Sequence, residues 1–127
     1  MDWVATTIDA FGQTLGIPGL SLDDDGRLAM DADDGAELSF CDLRPMGAPE
    51  LLVALTKAVT GNREDALRTA LRLGDFRRAN SWAVQAGLDD DELMIAVRLP
   101  IGAVMLSSLE EAVDLVLSLH READNGR

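Results

Sequence analysis

The chain has 127 residues, 47% hydrophobic and 27% charged, a balance that supports one folded domain over residues 1–127 and excludes a disordered chain. Asp and Glu number 23 against 11 Lys and Arg, a formal charge of -12 that repels phosphate backbones and anionic membrane surfaces, so nucleic acid is excluded as the expected partner. The apolar runs fall short of the ~20 residues of a membrane span, Met1-Asp2-Trp3 lacks the basic start of a secretory signal, and the single cysteine, Cys41, permits no internal disulfide; together these predict a cytoplasmic protein without membrane insertion.

Val4, Ile8, Phe11 and Leu15 recur at helical spacing, so the first element is an amphipathic helix from Asp2 or Trp3 to about Leu15. Asp2 takes the N-cap place, and Gly16 and Pro18 end the helix. Trp3 stands about 100° off the apolar stripe, a candidate for a partly exposed aromatic or for one folded onto the core edge. Three short strands follow, at Leu20–Leu22, Arg27–Met30 and Ala36–Cys41, joined by acidic Asp-Gly turns into an antiparallel meander. Leu20, Leu22, Leu28, Met30, Leu38 and Phe40 would share its apolar face. Both turns set carboxylates around a glycine, but with Gly26 in the glycine place of a calcium loop, Ala32 would have to serve as the bidentate acid. Solvated turns are the better account.

Ala48 to Thr60 reads as a helix opened by Pro49. Leu51, Leu52, Val53, Leu55, Ala58 and Val59 cover most of its circumference, more apolar surface than one neighbour hides, so a second copy of the chain is expected against it. A further helix runs from an Asn62 N-cap to about Leu73 with Gly74 as its stop, and Phe76-Arg77-Arg78 follows as a basic loop, a candidate anion site for which pairing to the chain's own carboxylates is the better account. From Asn80 to Pro100, Trp82, Val84, Ala86 and Leu88 alternate, Asp89-Asp90-Asp91 interrupts, and Leu93, Ile95, Val97 and Leu99 alternate again. That pattern is a β-hairpin, closed by a proline that cannot donate to a ladder. Ser108 and Glu111 have capping-box spacing for a last helix whose stripe is Leu109, Ala112, Val113, Val116, Leu119, His120 and Ala123. The sum is an α+β fold: a twisted antiparallel sheet of about five strands, meander plus hairpin, with N- and C-terminal helices packed on it and a middle helical segment at a dimer interface.

Reactive constellations are not evident. One histidine and one cysteine cannot furnish a zinc site, nothing brings Cys41 to His120 or supplies an orienting third group, and the glycines at 12, 16 and 19 join no strand to a helix as a phosphate loop would. A binding protein without cofactor is therefore expected ahead of an enzyme.

The opening Phe11 with Leu15-Gly16-Ile17, then Leu20-Ser21-Leu22-Asp23, and later Val97-Arg98-Leu99-Pro100 before the last amphipathic helix, resemble the two recurring segments of the Tir-chaperone family, the class I chaperones of bacterial type III secretion. The likeness in element order covers nearly the whole chain. It departs at Ala48 to Arg78, where two helical patterns stand in place of one main helix. The resemblance implies a cytoplasmic bacterial homodimer, without enzymatic activity or cofactor, that holds a non-globular stretch near the N-terminus of a secreted effector soluble and secretion-competent, with the secretion ATPase as a further contact. It implies a dimer interface at Leu51, Leu52, Leu55, Val59, Trp82 and Val84, and an effector surface over Trp3, Phe11, Leu28, Met30, Phe40 and Met94. The alternative is a small acidic inhibitor of the immunity type that blocks a basic toxin by charge complementarity. Acids dispersed among turns and helix starts favour the chaperone.

Overall fold

The computed structural model describes residues 2–32, 35–77 and 82–124, the side chains of 74–77 apart. Helix α1 (Trp3–Thr14) opens as expected, with the Val4 N–H donating to Asp2 Oδ1 at 3.0 Å, and it buries Val4, Ile8 and Phe11. The chain then turns at Gly16, in the left-handed region at φ 76°, and the Ile17 N–H returns to the Gly12 carbonyl at 2.8 Å. That return carries residues 20–22 over the end of α1 instead of along the sheet, so the expected first strand is absent. Leu20 and Leu22 still pack on the core edge.

Five strands make one antiparallel sheet: β1 (Arg27–Asp31), β2 (Glu37–Asp42), β3 (Glu50–Ala58), β4 (Val84–Asp89) and β5 (Glu92–Pro100), in the order β1-β2-β3-β5-β4. The helix expected over Ala48 to Thr60 is corrected to β3, the central strand. Leu51, Val53 and Leu55 face the helices, while Leu52 and Ala54 face away, Ala54 opposite Ala96 of β5. β3 carries apolar residues on both faces, Leu52 and Ala54 on the one turned from the helices, and on a helical wheel that distribution looks apolar all round. Its leucines and alanines are also good helix formers, so local preference concealed what the tertiary context decided.

The expected hairpin forms, with β4 starting at Val84 and Trp82 before it; Val84 stands opposite Val97, Ala86 opposite Ile95 and Leu88 opposite Leu93, and β5 ends at Pro100 as expected. Asp90 turns it at φ 54°, a left-handed conformation that aspartate tolerates, and the Arg63 guanidinium donates to the Asp90 carbonyl. Arg63 opens α2 (Arg63–Arg77), capped by Asn62 Oδ1 accepting the Asp65 N–H at 3.0 Å. The expected stop at Gly74 is overrun, since an interior glycine costs a helix only about 1 kcal/mol against alanine. The basic-loop expectation at Phe76 to Arg78 lies outside the described side chains. Helix α3 (Leu106–Asp124) starts two residues before Ser108, so that serine sits inside the first turn and the expected capping box does not open the helix.

One hydrophobic cluster joins α1, α2 and α3 to a single face of the sheet. Leu38, Phe40, Leu51, Val53, Leu55, Leu93, Ile95, Val97 and Leu99 supply the sheet's share, and the Phe11 and Phe40 rings meet edge to face with centroids 5.7 Å apart. Among the described residues the opposite face carries no helix.

Candidate protein-binding surfaces

The residues that could do chemistry are committed to structure. His120 is buried on α3, and its Nε2 donates to the Leu93 carbonyl at 2.9 Å and lies 3.2 Å from that of Lys57, two strand residues that are partners in the sheet. The ring thus braces α3 against β3 and β5. Cys41 faces outward on the other side of the sheet, opposite Leu52 and Arg27, so the sheet separates the thiol from the imidazole. Among the described residues no group of His, Cys, Asp and Glu is arranged to hold a metal ion.

Asp42, at the end of β2, is largely buried and accepts from Arg44 Nε at 3.0 and 3.1 Å and from Nη2 at 2.7 Å; the same Nη2 donates to Asp2 at 3.0 Å. The Arg44 guanidinium holds the Asp42 carboxyl below the usual carboxylate range, overcoming the opposing effect of burial, and is itself raised in return. This clamp pins the start of α1 to the sheet. Beside it the Trp3 indole N–H donates to the Ile101 carbonyl at 3.3 Å, and the Ile101 N–H donates to Pro49.

Around that end of the sheet large apolar side chains are exposed beside the ion pair. Trp3 is 50% exposed, Met46 in the turn from β2 to β3 is 62% exposed, and Met105 before α3 is 53% exposed. A second apolar area lies on the helix-free face, where a recess of about 440 Å³ is lined by Ala29, Ser39, Cys41, Leu43, Met46 and Leu52. Met94 stands further along the same face, 37% exposed. The edge strands of the sheet are β1 and β4, and among the described residues neither pairs with a further strand.

Of the six residues expected to meet an effector, Trp3 and Met94 are exposed, Leu28 and Met30 are half-buried on β1, and Phe11 and Phe40 are closed in the core. Of the six expected at a dimer interface, Leu51 and Leu55 are closed in the core because β3 lies under the helices. Leu52 lines the outer recess, and Val59, Trp82 and Val84 are half-buried around α2 and the β4 edge. Sequence reasoning missed Met46, Met105 and Leu71, the last 49% exposed on α2. The two methionines sit in turns where no periodicity marks them.

This fold, a five-stranded antiparallel sheet in the order β1-β2-β3-β5-β4 with helices on one face, is similar to that of chains in solved structures of type III secretion chaperones and chaperone–effector complexes. A chain in the crystal structure of the ExsC–ExsE complex matches with TM-score 0.75 at 19% identity, over 98% of this chain and 96% of that one. A chain of the HopA1–SchA chaperone–effector complex matches with TM-score 0.73 at 19% identity, over 94% and 91%. The complex of the Yersinia pestis type III secretion chaperone SycH with a stable fragment of YscM2 gives TM-score 0.60 at 19% identity, over 91% and 98%. At that identity the likeness establishes the fold. No family model and no curated protein matches the sequence.

Proposed function

We propose that the protein is a type III secretion chaperone: a non-enzymatic bacterial cytoplasmic homodimer that binds the N-terminal non-globular segment of an effector and keeps it soluble and secretion-competent. The observation that carries this reading is the match over nearly the full chain to a structure of a chaperone bound to its effector, in a molecule that leaves Trp3, Met46 and Met105 uncovered at one end. Exposed apolar side chains of this size, methionine above all, suit a partner of loosely specified sequence. The homodimer would form over α2 and the β4 edge, where Leu71 and Leu88 are exposed and Trp82 and Val84 half-buried.

Co-expression with effectors of the native host tests the reading. An N-terminal segment of roughly fifty to a hundred residues should co-purify, the length a wrap-around contact of large area requires. Recovery of a folded basic enzyme instead would favour the inhibitor. Sedimentation tests the dimer: Leu71→Glu changes an exposed position, so the protomer should keep its stability within about 0.5 kcal/mol while the dimer separates, and an unchanged profile would move the interface elsewhere.

A further inference from the structure

The helix-free face of the sheet offers a built recess whose ends differ in charge. The hydrophobic cluster draws its strand residues from the other face alone, and Ala54 and Ala96 are buried without belonging to it. Ser39 and Cys41 line it from β2, Leu52 from β3, Ala29 and Arg27 from β1, and Met46 from the turn after β2, so one end carries the Arg27 cation and the other the Glu37 carboxylate. The recess follows β2 from Cys41 to Glu37, about 13 Å at the rise of a strand, the length of some four residues of extended chain. At its far end Asp31 and Glu37 stand directly opposite each other in register, both exposed and neither in an ion pair among the described residues. Like charges so opposed destabilise a sheet, and a cation placed between them relieves both.

We propose that this recess takes an extended segment of the client, apolar over Cys41, Leu52 and Met46 and carrying a lysine or arginine that settles on the Asp31–Glu37 pair. The inference rests on the chaperone reading and deepens it by naming the chemistry of the bound segment. A second copy of the chain fits poorly. The face presents Asp31, Glu37, Glu50, Asp89 and Glu92 against Arg27 and Arg98, and Arg98 is already shared between Gln85 and Glu50. Two such faces would set carboxylate against carboxylate, whereas the chain's charge of -12 draws a basic segment in.

Cys41, half-exposed in the recess and the only cysteine of the chain, reports occupancy directly. Its rate of maleimide alkylation is measured on the intact protein with a capped hexapeptide of alternating valine and serine that ends in lysine, and with its glutamate twin. The lysine peptide should protect Cys41 at about tenfold lower concentration than the glutamate twin at low salt, through two solvent-exposed ion pairs made or reversed. The advantage should vanish in the Asp31→Asn/Glu37→Gln double variant. Equal protection by both peptides, or protection by neither, overturns the proposal, as does protection that rises with protein concentration alone and so assigns the face to a second copy. An effector segment that co-purifies while Cys41 stays as reactive as in the free protein overturns this inference and leaves the chaperone reading standing. Lysine-dependent protection with no effector segment captured leaves the recess as a site for a basic extended segment but overturns the chaperone reading and, with it, the assignment of that segment to an effector.

Discussion

Replacing Gly12 by alanine sets two effects of opposite sign against each other at one buried position. In an open helix alanine is better than glycine by about 1 kcal/mol, so α1 taken alone would gain. In the folded chain a Cβ at residue 12 would lie 2.6 Å from the Ile17 carbonyl oxygen and 2.6 Å from Leu20 Cβ, with Leu20 Cδ2 at 3.1 Å. The first of these is backbone, held in place by the Ile17 N–H bonded to the Gly12 carbonyl at 2.8 Å, so it cannot swing aside as a side chain does. Overpacking of this kind costs about 1–3 kcal/mol, and losing the hydrogen bond adds about 1 kcal/mol. The clash should exceed the gain in helix propensity and leave Gly12→Ala less stable by roughly 1–3 kcal/mol. Thermal unfolding at fixed protein concentration should show a midpoint lower by at least about 3 °C. Ala5→Gly, at an exposed position of the same helix, serves as the control and should lose about 1 kcal/mol from propensity alone. A midpoint raised by Gly12→Ala would refute the return of residues 15–22 over the helix.

Three further substitutions test other contacts. Asp42 has a folded pKa below its unfolded value of about 3.9, so its stabilisation is full above that value and is lost as pH falls through the folded pKa; urea midpoints taken downward from pH 5 should fall less steeply in Asp42→Asn. An acid limb of equal slope in that variant would show that the Arg44 clamp does not couple to folding. His120→Ala removes the donor that two strand carbonyls share and leaves a void under α3, an expected loss of about 2–4 kcal/mol by urea titration; a loss under 1 kcal/mol would mean that the ring does not brace the helix. Leu55→Asp places a charge at a position only 2% exposed, between Leu38 and Ile95, so the variant should fail to fold instead of giving a folded monomer. A soluble Leu55→Asp monomer with native circular dichroism would restore that residue to an interface.

The parts of the fold that showed in the sequence are those where one face is wet. The stripes of α1 and α3 and the alternation of the hairpin each set buried residues against exposed ones, which placed the apolar residues of both hairpin strands on one face. β3 failed that test because its open face is not marked by polar residues: Leu52 and Ala54 are as apolar as Leu51 and Val53. Residues 20–22 failed differently. Leu20-Ser21-Leu22 alternates as a strand should, yet its course is decided by a contact with Gly12, eight residues earlier, that no local pattern records.

The binding surfaces were less legible for a related reason. Periodicity finds residues that repeat toward a core, and it therefore named Phe11, Phe40, Leu51 and Leu55, which the protomer closes inside itself. A surface that waits for a partner is made from what the core leaves over. Met46 stands alone in a turn, and the recess beneath it draws Cys41 from β2 and Leu52 from β3, residues that become neighbours only once β3 is known to be a strand. The misreading of one segment thus displaced two inferences: it turned core leucines into an interface, and it hid the face on which the sheet is open. Asp31 and Glu37 show the same dependence, since the turn between them is acidic in any reading, but only the register of β1 on β2 sets these two carboxylates opposite each other at the end of an apolar recess.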